Sequence, residues 1–126
     1  MTINRKTRDK LLELINKLSK KSFDINTQYN FLILKRELEK DLSIEEEQLE
    51  TIIELYGEKD ENGKYVLTED GGVKIKSTEL GGCQQKIKEL NNCKIQVPDI
   101  YFTLDELRTL ELNLNELEEL NPFIKF

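Results

Sequence analysis

"INTQYNFLILKRELEKDLSIEEEQLETIIELY", residues 25–56, decides how this chain is read. Tyr29, Phe31, Leu32, Leu34, Leu38, Leu42, Leu49, Ile52, Ile53 and Tyr56 recur every three or four residues, the rhythm of one helical face. No proline or glycine interrupts the run before Gly57. Read as one element, it is a helix of about 32 residues, roughly 48 Å long at 1.5 Å per residue. "SIEE" at 43–46 has the form of a capping box, which offers a break as the alternative. A capping box needs a chain turn, and no turn residue precedes it, so the continuous helix is preferred. A helix this long extends past what a small core covers, and its far end calls for a partner: a second copy or another protein.

Upstream, Leu11, Leu14, Ile15 and Leu18 form a single apolar stripe, predicting a first helix over about residues 5–20. "KKSFD" connects the two helices, and Asp24 or Asn26 can cap the second by accepting backbone N–H groups. All six glycines lie between residues 57 and 82. The chain therefore has a helical front, an irregular middle and a mixed C-terminal part.

The middle contains "GEKDENGKYVLTEDGG", residues 57–72, the nearest thing to a chemical motif. Against a twelve-residue calcium loop it would begin at Glu58 and place Asp60, Asn62, Gly63 and Glu69 at matching positions. Glutamate stands where aspartate is needed first, and "DGGVKIK" follows where a helix should start. A turn reading satisfies every residue. Gly63 supplies a positive φ in "DENG", and "KYVLT" and "VKIK" are strands joined by "EDGG" into a hairpin. No metal or other cofactor is expected.

Beyond it, Cys83, Ile87 and Leu90 share a face of a third helix that ends at Asn91–Asn92. "CKIQV", 93–97, alternates inward and outward, a short strand stopped by Pro98 that is expected to join the hairpin as a third strand. "TLDE" at 103–106 and "NLNE" at 113–116 are helix start signals. Phe123, Ile124 and Phe126 read as a packed tail. The expectation is a single domain over 1–126, α+β and mainly helical. A long two-helix hairpin carries a β-hairpin insertion, a third short strand and short C-terminal helices.

Composition removes many chemistries. There is no histidine, which takes away the commonest general base, most zinc sites and every Ser-His or Cys-His pair. GxxxxGK[ST] and GxGxxG are absent. With 25 acidic residues no carboxylate pair stands out, so a carboxylate hydrolase is the weakest reading and no catalytic residue is assigned. Cys83 and Cys93 read as reduced, packed thiols of a cytoplasmic protein. No run is apolar enough to span a membrane, and the N-terminus lacks the apolar core of a secretory signal.

The net charge of −6 hides an asymmetry. Residues 1–21 carry seven basic against two acidic residues, and the remainder twelve against 23. Helix pairing explains the contrast most simply. Direct nucleic-acid binding is not expected, because the acidic remainder would repel phosphate. Asp41, Glu45, Glu46, Glu47, Glu50 and Glu54 form a candidate acidic ridge for a partner protein.

"LLELINKLSKK", the charged helix ending in "LYGEKDENGKY", and "TLDELRTLEL" together resemble a family of short, uncharacterised proteins of tailed phages and prophages of Gram-positive bacteria. The likeness covers about residues 9–120 and rests on the order of the elements; "GGCQQ" departs from the charged helical run expected there. The family has no established catalytic residues. The resemblance implies a viral or prophage origin, a bacterial host cytoplasm and a role by binding. With the excess length of the second helix, the expectation is an accessory protein that binds a host or phage protein, with a homodimer as one form. The alternative is an inhibitor of host defence, either by an acidic surface filling a nucleic-acid groove or by sequestering a nucleotide, which needs a basic pocket.

Overall fold

The computed structural model describes residues 1–125; the expectation for Phe126 lies outside them. The fold is mainly helical α+β, with β1 at Thr2–Asn4, α1 at Arg5–Leu18, α2 at Ile25–Tyr56 and α3 at Leu80–Asn91. Then follow β2 at Lys94–Gln96, β3 at Phe102–Thr103, α4 at Leu104–Leu107, α5 at Leu114–Leu120 and β4 at Ile124–Lys125. Two compact units form. The first is Met1–Asp41 with the chain from Lys94 onward; the second is Leu42–Cys93. Helix α2 is unbroken at Ser43 and contributes to both.

In the first unit, Asn4 caps α1 by accepting the Thr7 N–H at 2.8 Å, and Asp24 opens α2 by accepting from Asn26 and Thr27. These side chains satisfy N–H groups that the first helical turn leaves without partners. Arg5 and Arg8 reach Asp41, sixteen residues into α2, so the two helices run antiparallel. Leu11, Leu14, Ile15 and Leu18 of α1 bury against Phe31, Leu34 and Leu38 of α2. Phe102, Leu107, Leu110, Leu120 and Phe123 complete this core, so the C-terminal segment packs as expected as far as Phe123. Phe31 stacks on Phe102 at 4.2 Å between ring centroids, and Phe23 meets Phe31 edge-on.

Both C-terminal start signals are capping boxes. Thr103 and Glu106 exchange hydrogen bonds at the head of α4, and Asn113 and Glu116 do so at α5. Glu106 also accepts the Thr27 hydroxyl at 2.8 Å, which ties α4 to α2. Ile124 pairs in parallel with Phe102.

One strand pairing differs from expectation. β2 does not join the hairpin; it pairs antiparallel with β1, in the register Thr2↔Gln96, Ile3↔Ile95 and Asn4↔Lys94. The reason is burial. Ile3 enters the same core as Val97, and a polar-looking N-terminal segment becomes a strand once a partner edge lies beside it.

In the second unit the hairpin is present, with Leu67 opposite Val73 and the Thr68 N–H bonded to the Gly72 carbonyl. It gains a third segment. Residues 57–59 pair with 65 on one side and with 75 on the other. The N–H of Glu58 donates to Lys74, that of Lys74 to Val66, and that of Val66 to Glu58, each at 2.8 Å. The three segments thus close into a ring in which each hydrogen-bonds both others. Closure removes the open edges that a lone hairpin exposes. Ile75 of this ring, with Leu49 and Tyr56 of α2, packs against the buried cluster of Ile52 of α2 and Cys83 and Leu90 of α3.

Candidate partner-binding surfaces

The six residues of the predicted acidic ridge do not form one surface. Asp41 is 8% exposed and lies inside the first unit. Its carboxylate accepts from Arg5 Nε at 3.0 Å and Arg5 Nη2 at 3.2 Å, and from Arg8 Nη1 at 2.6 Å. Arg8 is 1% exposed and also bonds Asp9. Asp41 therefore belongs to an internal ion cluster and is withdrawn from the partner-binding set. The spacing explains this: Thr27, Phe31, Leu34, Leu38 and Asp41 follow one another at steps of four, three, four and three, so Asp41 continues the buried stripe. Arg5 and Arg8 extend the α1 stripe of Leu11, Ile15 and Leu18 in the same way.

Burial by itself would raise the pKa of Asp41. The hydrogen bonds and positive charges of Arg5 and Arg8 outweigh it and hold the carboxyl below its ordinary value. Among the described residues no buried side-chain nitrogen or oxygen lacks a partner, so the cluster is satisfied. Arg5 and Arg8 are committed inside, so neither contributes to a basic pocket of the kind that nucleotide sequestration requires.

In the second unit, Glu45 lies four residues before Leu49 on the packing stripe of α2 and is half-buried. Glu46, Glu47, Glu50 and Glu54 are exposed. Positions 46, 50 and 54 step by four and 47 and 50 by three, which gathers these four carboxylates on one side of the helix.

The turn at 60–64 completes the reading of the calcium-like stretch. Gly63 has φ +78°, and the Asp60 carboxylate accepts the backbone N–H groups of Asn62 and Lys64 at 2.9 and 3.0 Å. Those bonds use the carboxylate to hold the turn, and the chain then returns as a ring segment instead of a helix. Among the described residues no group of three or more acidic or cysteine side chains is placed to hold a metal ion. Both cysteines are free thiols, Cys83 buried and Cys93 half-buried.

The surface that periodicity counting missed lies on α2 in the first unit. Ile25, Tyr29 and Leu32, spaced i, i+4, i+7, are 78%, 59% and 39% exposed. They flank an open groove of about 370 Å³ whose floor is Ile15, Leu18, Phe23 and Phe31, with Lys21 and Lys35 at its rim. The sequence signal was available. Tyr29 and Leu32 keep the same three-to-four rhythm as Phe31 and Leu34 but sit on a different face of the helix.

The chain matches no protein-family model, and no curated protein or solved structure is significantly similar to it. Among the described residues no helix is long and apolar enough to cross a membrane.

Proposed function

We propose that the protein works by binding another protein through faces of α2, not by catalysis. The observation that carries this reading is the uncovered apolar row of Ile25, Tyr29 and Leu32 beside the groove. Apolar surface left in water forfeits roughly 25 cal/mol per Å², and contiguous exposed patches mark interaction sites. The resemblance to phage and prophage proteins supports an accessory role in a bacterial host cytoplasm, with a host or phage protein as partner. Affinity capture from a Gram-positive lysate, with wild type beside a Tyr29→Asp, Leu32→Asp double variant, tests it. A partner held by wild type and lost by the variant is the expected result. A folded variant that retains every captured protein, together with the acidic-face variant described next doing the same, removes the proposal.

A second reading rests on a separate observation, the four exposed carboxylates of the second unit. Such a row can occupy a basic nucleic-acid-binding surface, the action of a host-defence inhibitor. Its binding should weaken steeply with salt and be lost on charge reversal at Glu46 and Glu50. Inhibition that survives the double reversal excludes it.

A further inference from the structure

We infer that the groove beside α2 receives an amphipathic, acidic helical segment of the partner protein. The inference rests on the binding reading above and adds the chemistry of what is bound. Three features of the groove lead to it.

The first is the spacing of the anchors. Ile25, Tyr29 and Leu32 span seven residues of helix, roughly 10 Å at 1.5 Å per residue. That is the length over which a partner helix presents its own i, i+4, i+7 side chains. The second is what the walls cannot offer. The walls are α1, α2 and the short connection between them, and none of these is a strand, so an extended peptide finds no strand edge to pair with. Recognition must run through side chains, as when a helix lies in a groove. The groove is also open to solvent, whereas a small apolar ligand needs a pocket that encloses most of its surface.

The third is charge. Among the described residues none that lines the groove is acidic, and the rim carries Lys21 and Lys35, in a chain whose net charge is −6. Asp24 lies next in sequence, but its carboxylate is turned to the N–H groups of Asn26 and Thr27. Lys35 pairs with Glu39 at 3.7 Å and Lys21 donates to the Leu110 carbonyl, bonds that leave further N–H groups on each ammonium. A second copy docked isologously would set this rim against itself, lysine to lysine. A segment with an apolar stripe flanked by Glu or Asp meets both the row and the rim.

Two synthetic 18-residue helical peptides test the assignment on the full chain. Both carry Leu at i, i+4, i+7; one is flanked by Glu and the other by Lys. Fluorescence anisotropy should show saturable binding of the Glu peptide, at least about tenfold tighter than the Lys peptide. Amide NMR shifts should cluster at Ile25, Tyr29, Leu32 and Lys35. Lys35→Glu should erase or invert the preference, and Tyr29→Ala should weaken binding by about fivefold or more. Both sites are on the surface, and circular dichroism checks that the variants keep their helix. Equal binding of the two peptides, shifts elsewhere, or no binding overturns the inference. So does a concentration-dependent dimer abolished by Tyr29→Asp, which would give the groove to a second copy. A partner retained by Tyr29→Asp but lost on charge reversal at Glu46 and Glu50 would sink the groove assignment while leaving the binding reading in place.

Discussion

At the residue scale, Asp41 shows how one position on a helix changes a charge from surface to core. Two guanidiniums share its carboxylate, and all three side chains are withdrawn from water. Replacing a buried ion cluster by apolar groups can be neutral, but removing one partner leaves the opposite charge in a poor environment. Asp41→Ala should therefore cost about 3–5 kcal/mol in urea unfolding at neutral pH. The pH arm follows from the direction of the shift. The native pKa lies below the unfolded value of 3.8, so the contribution is fully present above that value. It is lost as pH falls from there through the native pKa. The stability gap between wild type and Asp41→Asn should hold constant from pH 7 to about pH 5 and then shrink on acidification. A gap that widens in acid would mean that Asp41 is not the ionised member of the cluster.

At the element scale, side chains that close backbone hydrogen bonds set where helices begin, and steric space sets where they end. Thr103 accepts the Glu106 N–H while Glu106 accepts the Thr103 N–H at 3.0 Å. The backbone N–H of Thr103, helped by the Thr27 hydroxyl, holds the Glu106 carboxyl below its usual range. Thr103→Ala should lower stability by about 1 kcal/mol, read as a shift in the urea midpoint at unchanged slope. Gly57 ends α2 for a different reason. A Cβ there would stand 2.5 Å from the Ile53 carbonyl oxygen and 2.9 Å from the Tyr65 ring. Gly57→Ala should cost about 1–3 kcal/mol by crowding the ring of residues 57–76. Unchanged thermal unfolding of that variant would show that the ring yields.

At the scale of the whole molecule, the two units differ in how much apolar surface they bury. Among the described residues, fourteen buried side chains form the core of the first unit and three form that of the second. Local opening free energy follows buried contacts, so the units should exchange amide hydrogens at different rates. Amides of residues 58–76 should exchange well before those of Leu34 and Leu38, measured by NMR at neutral pH. Equal protection across both sets would mean that they open only together. The same division locates the two proposed surfaces, the apolar groove on the first unit and the carboxylate row on the second. Variants in one can be read without assuming that the other is disturbed.

What residues 1–126 determined unaided is the part of the structure written in short-range terms. The unbroken α2, a cap at Asp24 or Asn26, the two C-terminal capping boxes and the Gly63 turn each depend on groups within a few positions of one another. Backbone hydrogen bonding and helical periodicity reach no further than that. The exposed row of Glu46, Glu47, Glu50 and Glu54 was legible for the same reason. Tertiary structure decided everything that needed a distant neighbour. Thr2 lies opposite Gln96, which turned an unpromising N-terminus into a strand. Residues 57–59 completed the ring by pairing with 65 and 75. Asp41 went inside because Arg5 and Arg8 stood opposite it, and Ile25, Tyr29 and Leu32 stayed outside because none of the described residues of their own unit covers them. A side chain's periodicity says which face it occupies; only the elements packed against that face decide whether it meets water.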